Sequence, residues 1–194
     1  SPADGTVVQF GHITEGVLLQ AKGIPYTVEQ LLQDPQAAVT YRHGSFCTIY
    51  LSPRDYHRVH FPVGGQIIAY RHIPGNSFPV GPFSRTHIAG LYCRNERVST
   101  TIQTAHGEVT VVMVAAMGVG NISLSYLPVS KGTAPRGEIL NTQRFDRIDR
   151  EAKDELGIFH LGSTVVILTE KPLEFSGIEV EGPLRMGVPV ARFA

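Results

Sequence analysis

Short runs of β-branched and aromatic residues, broken by glycine and proline, set the hydrophobic pattern of this chain. The sequence contains 20 Gly and 13 Pro among 194 residues. Runs of about four to eight residues between such breakers are typical of β-strands. They predict strands at residues 6–10, 47–51, 66–70, 98–103, 109–114, 122–126 and 164–169. The run 109–114 is almost wholly apolar, which predicts a strand that is buried on both faces.

Helical signals are fewer and shorter than strand signals. Residues 27–33 predict a short helix with Thr27 as its N-cap, and residues 83–92 predict a second helix. The dipeptide His106-Gly107 lies between two predicted strands and indicates a hairpin turn. The whole chain of 194 residues fits one medium domain. The pattern predicts a mostly β (α+β) fold, an antiparallel β sandwich or barrel-like domain with a few short helices.

Composition narrows the classes of function. Lys+Arg and Asp+Glu number 17 each, so the formal net charge is zero, which argues against a general nucleic-acid binder. No stretch reaches the ~20 apolar residues of a membrane span. Cys47 and Cys93 lack C-x-x-C spacing and predict buried free thiols, with a disulfide left open. Residues 133–156 are rich in both charge signs, which predicts a solvated helix or loop, or else a flap beside the candidate site.

Several residues of the chain have the chemistry of nucleophilic catalysis. Ser163 follows Gly162, Asp4 lies near the start, and His57 and His60 are three apart. Together they supply the parts of a Ser-His-Asp constellation, which is recognised by roles and not by chain order. Serine is a weak nucleophile that requires an adjacent base, and a neutral imidazole, with a pKa near ~6.5, can serve as one. Because Gly162 has no Cβ, the Ser163 hydroxyl can approach its carbonyl carbon.

Each of these residues also has a structural interpretation. The segment around Asp4, Pro-Ala-Asp-Gly, is typical of a turn. Asp55 follows Ser52 with the spacing of a capping box, so we expect it mainly to build that turn. If this segment were a helix, His57 and His60 would lie on one face of it, three residues apart, and could bind a metal together. No Cys or carboxylate pair completes a zinc motif, and we expect no metal site.

Longer motifs place these parts in a family. In chain order they are Ser1-Pro2-Ala3-Asp4-Gly5, Leu19-Gln20-Ala21-Lys22-Gly23, Tyr50-Leu51-Ser52-Pro53, Arg54-Asp55-Tyr56-His57-Arg58-Val59-His60, Arg94-Asn95-Glu96-Arg97-Val98 and Phe159-His160-Leu161-Gly162-Ser163-Thr164. With these motifs, the sequence resembles the phosphatidylserine decarboxylase family over nearly its whole length. The resemblance implies an antiparallel β architecture distantly similar to biotin- and lipoyl-carrier domains.

The resemblance also implies self-processing. Members of the family are made as proenzymes that cut their own backbone before a serine. In this chain the cut would fall between Gly162 and Ser163 and give a β chain of residues 1–162 and an α chain of residues 163–194. Ser163 would become a covalently bound pyruvoyl group, the cofactor of the reaction.

Motif matching assigns roles to three further residues. Asp4 and His60 match the aspartate and histidine of the family's self-cleavage triad, with His60 as the base and Asp4 bound to its other ring nitrogen. His57 matches the position implicated in decarboxylation. Its expected task is to deliver a proton after carbon dioxide leaves. His160, close to the bond to be cut, is a candidate for an accessory role.

The function implied is decarboxylation of phosphatidylserine to phosphatidylethanolamine through a Schiff base with the pyruvoyl group. Two alternatives stay open: a pyruvoyl decarboxylase of a soluble amino acid, and a non-enzymatic β carrier or binding module. The expected partners are a phospholipid substrate at a membrane surface and the chain's own two fragments, with a homodimer left open and no nucleic acid. Family members usually carry an N-terminal membrane-associating segment. We therefore expect a peripheral protein of the cytoplasmic face of the cell membrane, with that segment missing from this chain.

Overall fold

One large antiparallel sheet runs through the computed structural model, which describes residues 1–116, 122–127, 141–160 and 163–194. The strands are β1 (Gly5–His12), β2 (Val17–Leu19), β3 (Pro25–Thr27), β4 (Ser45–Leu51), β5 (Arg58–His60), β6 (Gly65–Ile73), β7 (Arg97–Thr104), β8 (Gly107–Val114), β9 (Ile122–Leu124), β10 (Asn141–Arg144), β11 (Asp149–Arg150), β12 (Glu155–Phe159), β13 (Ser163–Thr169), β14 (Leu173–Phe175), β15 (Pro183–Leu184) and β16 (Ala191–Phe193). The helices are α1 (Val28–Leu32), α2 (Pro35–Thr40), α3 (Pro82–His87) and α4 (Leu91–Arg94), with a 3-10 turn at Ala21–Gly23.

The large sheet has the strand order β10-β6-β7-β8-β13-β4-β1-β15, and β11 pairs along the same edge of β6 as β10. Strand β13 lies in the middle, paired with β4 on one side and β8 on the other. Three small sheets complete the described fold: β5-β12-β9, β14-β16 and β2-β3. The predicted mostly β class is confirmed. Within the described residues the large sheet is open, and it does not close into a barrel.

Side-chain alternation along β13 divides the core into two layers. Val165 and Ile167 pack toward the small sheet that contains β5 and β12, whereas Val166 and Leu168 pack toward α1 on the opposite face. Every residue of β13 is buried. Burial of one such side chain is worth about 1.5–3 kcal/mol, so this strand is firmly held. Residues 109–114 of β8 are also buried throughout, as predicted.

Helix α1 begins where the sequence predicts. The Thr27 hydroxyl accepts a hydrogen bond from the backbone N–H of Gln30 at 3.0 Å, and the Gln30 side chain accepts one from the Thr27 N–H at 3.0 Å. This capping box satisfies two N–H groups that the first turn would otherwise leave unpaired. The predicted N-cap is confirmed.

The helix predicted at residues 83–92 is in fact two short helices, α3 and α4. The chain leaves α3 at Ile88 in an extended conformation (φ −103°, ψ 107°) and enters α4 through Gly90 at φ +62°. Gln20 stabilises the break: its side-chain amide donates to the carbonyl oxygens of Arg85 and Ile88, and its side-chain oxygen accepts from the N–H of Leu91. The long-range contacts of Gln20 therefore determine that the segment forms two helices, which local propensity alone does not determine.

The charged segment 133–156 contains strands where the sequence predicted a solvated helix or loop. Residues 133–140 lie outside the described part, but the rest contributes β10, β11 and the start of β12. Pairing of β10 and β11 with β6 satisfies backbone groups that a charged loop would expose to water. The predicted hairpin turn joins β7 to β8. There Gly107 has φ +98°, and a Cβ would lie 2.5 Å from a carboxylate oxygen of Glu170.

Candidate active site

Ser163 opens β13 and faces the interior. Its side chain is fully buried, and its Oγ atom has no hydrogen-bond partner among the described residues. Because side chains alternate along a strand, Ser163 shares the face of Val165 and Ile167, on which the small sheet with β5 and β12 packs. Its register partner on β4 is Leu51. Gly162, the other residue of the predicted cleavage site, lies outside the described residues.

A tight turn holds the segment that leads to the two histidines. The Asp55 carboxylate accepts a hydrogen bond from the Ser52 N–H at 2.7 Å, and the Asp55 N–H donates to the Ser52 carbonyl oxygen at 2.9 Å. Asp55 therefore builds this turn, as predicted. No helix follows: His57 lies in a loop and His60 ends β5. The shared helix face that a His57–His60 metal pair requires is not formed.

His57 has one buried ring nitrogen without a partner. Its Nδ1 lies 2.5 Å from the carbonyl oxygen of Asp55. A carbonyl can only accept, so this contact assigns the proton of the neutral ring to Nδ1 and leaves a lone pair on Nε2. Nε2 is buried and has no hydrogen-bond partner among the described residues. The neutral ring therefore has a buried nitrogen whose lone pair is free to accept a proton.

Backbone contacts limit how far His57 can lie from Ser163. The His57 carbonyl oxygen accepts a hydrogen bond from the N–H of Phe159 at 2.9 Å. Phe159 ends β12 four residues before Ser163, and four extended residues span at most roughly 14 Å. The unpartnered hydroxyl and the unpartnered imidazole nitrogen thus belong to adjacent pieces of chain.

Both ring nitrogens of His60 have partners. Nδ1 lies 2.8 Å from the carbonyl oxygen of Lys153, and Nε2 lies 3.2 Å from the hydroxyl of Tyr56, whose ring stacks on the imidazole. The carbonyl again assigns the neutral ring's proton to Nδ1. Nε2 then accepts a hydrogen bond from Tyr56.

Asp4 also binds groups other than the predicted ones. Its carboxylate accepts a 2.7 Å hydrogen bond from the N–H of Met186 and a 3.2 Å hydrogen bond from Arg185. The His60 N–H donates to the carbonyl oxygen of Pro2 at 2.8 Å, so the two segments lie side by side. Among the described residues, however, no hydrogen bond joins Asp4 to His60. The carbonyl oxygen of Lys153 accepts the hydrogen bond from the His60 ring that the family resemblance assigned to Asp4.

Sequence reasoning missed two of these contacts for different reasons. Tyr56 lies inside the quoted motif, four residues before His60, so its hydroxyl was a signal available in the sequence. Lys153 acts through its backbone carbonyl, 93 residues away from His60 in the chain, and no residue type announces such a contact. His160 is exposed, and its Nε2 lies 3.2 Å from the Ser123 hydroxyl.

Both cysteines are free thiols, as predicted; Cys47 is buried, whereas Cys93 is only partly buried. Burial raises the pKa of Cys47 to about 12 and that of Cys93 to about 11. A thiol is reactive only as the thiolate, so both side chains act as apolar packing groups near neutral pH.

Comparison with known proteins gives a consistent family. A family model described as phosphatidylserine decarboxylase matches residues 1–192. The chain is 45% identical over 171 residues to a phosphatidylserine decarboxylase proenzyme of Myxococcus xanthus, covering 88% of this chain and 60% of that protein. Identity to a proenzyme of the same name from Bordetella petrii is 40% over 200 residues, covering 96% and 66%. For one from Acinetobacter baylyi it is 42% over 175 residues, covering 88% and 58%.

The chain therefore spans about three-fifths of the length of the curated relatives it matches. Among the described residues, no helix combines the length and apolar character needed to cross a membrane.

Proposed function

Because the chain belongs to the phosphatidylserine decarboxylase family, we propose that it is a self-processing, pyruvoyl-dependent decarboxylase of phosphatidylserine. The observation that carries the proposal is the buried, unpartnered hydroxyl of Ser163 at the start of the central strand. A buried hydroxyl without a partner costs about 1–3 kcal/mol. Such a cost is expected where the hydroxyl has a chemical task.

The first task of Ser163 is to cut the chain. Its Oγ attacks the carbonyl carbon of Gly162, a base takes the hydroxyl proton, and the peptide C–N bond gives way to an ester. Loss of the Ser163 α-proton then expels the carboxylate of Gly162 and leaves a dehydroalanine. Tautomerisation and hydrolysis convert that residue into a pyruvoyl group and release ammonia. Residues 1–162 and 163–194 become the two chains of one enzyme.

His60 is the proposed base. Its Nδ1 already gives a hydrogen bond to Lys153, so the neutral ring has its lone pair on Nε2. The Tyr56 hydroxyl donates a hydrogen bond to that lone pair. Either Tyr56 must move or the His60 imidazole must turn before Nε2 reaches Ser163. Asp4 would stabilise the imidazolium that forms, which requires its carboxylate to exchange Met186 for the ring.

His57 is the proposed proton donor in turnover. A pyruvoyl group at position 163 would supply a carbonyl for the substrate amine and an electron sink for the loss of carbon dioxide. The residues around Ser163 fit such a group, since the Ser163 side chain is fully buried and the half-buried His57 has an unpartnered Nε2. His57 would first take up a proton at Nε2, giving an imidazolium that keeps its Nδ1–H on the Asp55 carbonyl, and would then deliver the Nε2 proton to the carbon that has lost its carboxylate.

The substrate places the enzyme at a membrane surface. We propose peripheral attachment on the cytoplasmic face, where a lipid substrate is reached without extraction into water. The side chain of Phe83 is 75% exposed at the start of α3, and an exposed apolar ring can bury itself at the boundary between head groups and acyl chains. A homodimer is compatible with this arrangement.

The test compares wild type with Ser163→Ala, using Ser176→Ala, an exposed serine of the same fragment, as the matched control. Carbon dioxide release is measured from phosphatidylserine in mixed micelles and, separately, from a free aromatic amino acid. We expect turnover of the lipid by wild type and Ser176→Ala, inactivation by phenylhydrazine, and no turnover by Ser163→Ala. Release from the amino acid alone would favour the soluble-substrate alternative. No release from either would leave the carrier or binding module.

A further inference from the structure

A cavity of about 300 Å³ lies under the large sheet on the same face as Ser163. Its lining includes Ile167 of β13, Cys47 of β4, Phe61 and Val63 after β5, and Phe175 and Phe193 of the β14-β16 sheet. The lining is mainly apolar, with polar groups contributed by Ser1, Ser45, Lys153 and Thr169. An apolar cavity of this size does not hold water firmly, and it suits a hydrocarbon ligand.

The cavity lies along the strand that begins at Ser163. Ser163, Val165 and Ile167 alternate onto one face, and four residues of strand span about 13 Å. In a phospholipid, the phosphate and glycerol separate the head-group amine from the first acyl carbon by a comparable length. The distance along β13 from Ser163 to Ile167 therefore matches the spacing between a head-group amine and an acyl chain, but Val165 between them is buried in the core and does not line the cavity.

The cavity and the candidate active site also share a wall. Phe61 follows His60 in the chain, Lys153 accepts the His60 ring hydrogen bond, and Pro2 accepts the His60 backbone hydrogen bond. All three line the cavity. A ligand in the cavity thus contacts the backbone that orients the proposed base.

One cationic side chain lies at the rim. Lys153 is exposed, and its side chain passes Gly187 so closely that a Cβ there would lie 3.8 Å from Lys153 Cε. Gly187 lines the cavity as well. An ammonium group at the mouth of an apolar cavity complements a phosphate attached to an acyl chain.

We propose that this cavity binds one acyl chain of the phospholipid substrate, with Lys153 at the mouth facing the lipid phosphate. The cavity volume of about 300 Å³ is many times that of one water molecule, so the cavity has room for a stretch of acyl chain. The inference rests on the proposed function for the identity of the lipid, but binding itself needs no decarboxylation.

The first experiment measures binding in Ser163→Ala, which cannot process itself under the proposal. The probe is phosphatidylserine with a diazirine in the middle of one palmitoyl chain, presented in mixed micelles. After irradiation, peptide mass spectrometry locates the adducts. We expect them on the cavity walls, above all on the peptides of Phe61 and Phe175. Adducts confined to exposed side chains such as Phe83, or links between two copies of the chain, would overturn the proposal.

Two variants sharpen this result. Val190→Trp fills the cavity from the side of the β14-β16 sheet, and Val180→Trp adds the same ring at a valine that is 48% exposed and not part of the lining. We expect Val190→Trp to reduce wall adducts by about tenfold and Val180→Trp to leave them unchanged. If Val190→Trp melts far below the parent, Val63→Phe closes the cavity from the opposite wall instead. Equal adducts in the filled and control variants would contradict the assignment.

Turnover then separates this inference from the proposed function. In a background with Ser163 intact, Val190→Trp should lower the ratio of kcat/KM for dipalmitoyl over dihexanoyl phosphatidylserine by about tenfold, and Val180→Trp should not. Wall adducts in a chain that decarboxylates neither lipid would keep the cavity assignment and reject the proposed function. Turnover of both lipids without wall adducts would keep the proposed function and reject the cavity assignment.

Discussion

Ser163 and His57 each keep one polar atom inside the protein without a described partner. The two atoms complement each other, because a hydroxyl can donate and an imidazole lone pair can accept. Most buried polar groups in proteins are paired, but seven other buried side-chain atoms of the described residues, including Thr164 Oγ1, are also unpaired. The complementary chemistry of Ser163 and His57, and not the lack of partners alone, therefore favours a reactive site.

Replacing His57 should separate processing from turnover. A proton donor to the carbanion is needed only after the pyruvoyl group exists, so His57→Ala should still cleave at least in part. Its decarboxylation per processed site should fall by about 10²–10⁴-fold, the usual range for a missing acid or base. A gel gives the processed fraction, and product formation in micelles gives the rate. Unchanged turnover per processed site would reject the donor role.

Asp4→Asn distinguishes two roles of Asp4: anchoring the segment at Met186 and stabilising a protonated His60. The asparagine side-chain oxygen can still accept the hydrogen bond from Met186, so the fold should survive. The lost charge no longer stabilises a protonated His60, and we expect cleavage to slow by at least about 10²-fold. Normal cleavage of a normally folded variant would mean that Asp4 only anchors the segment at Met186. Thermal melting provides the check on folding.

These residue contacts mark the limit of what the sequence predicts. The residue types Ser163, His57, His60 and Asp4 are visible in the sequence, and the turn at Asp55 is predictable from local spacing. The Lys153 carbonyl on His60 is not, because any residue provides a carbonyl and only the pairing of β5 with β12 brings this one into place.

Among the secondary structure elements, strands were predicted better than helices for a physical reason. β8 and β13 are continuous β-branched runs that are buried on both faces, and burial supports what local propensity favours. The helices are four to six residues long, too short to be stable alone. Tertiary contacts such as those of Gln20 set where they end.

The Arg97 side chain makes four contacts of this kind. Its fully buried guanidinium donates to the carbonyl oxygens of Leu31 and Gln30 at the end of α1 and of Cys93 in α4. A fourth bond goes to the carbonyl oxygen of Asn95. Burial lowers the pKa of Arg97 to about 10, which leaves it charged at neutral pH. One cation thereby joins two helix ends to the start of β7.

Arg97→Lys should destabilise the fold because an ammonium cannot reproduce the planar guanidinium donors. We expect a loss of about 3 kcal/mol in the free energy of unfolding, the size of other losses from a broken buried polar network. Arg94→Lys, an exposed neighbour, is the matched control and should change it by less than about 1 kcal/mol. Urea unfolding followed by circular dichroism measures both. A loss below 1 kcal/mol for Arg97→Lys would show that the carbonyls find other partners.

For the whole molecule, the position of β13 decides what self-cleavage can do. The strand lies between β4 and β8, and β15 of the same fragment pairs with β1. Residues 163–194 number 32, since 194 − 163 + 1 = 32. Removing this fragment would open the middle of the sheet.

The two fragments should therefore stay together after cleavage. On gel filtration in native buffer, residues 1–162 and 163–194 should elute as one species, and they should separate in about 6 M guanidinium chloride, where folded domains are unfolded. Release of the small fragment in native buffer would show that the central strand is not held by its neighbours. The uncleaved Ser163→Ala chain provides the reference elution volume.

Intact-mass spectrometry under denaturing conditions tests the central claim most directly. Freshly purified wild type should give two masses, residues 1–162 and residues 163–194, the latter lighter by one ammonia than a fragment that begins with serine. The small fragment should react with a carbonyl reagent, and Ser163→Ala should remain one mass. A wild-type chain that stays intact after long incubation, with no carbonyl-reactive group, would contradict the account.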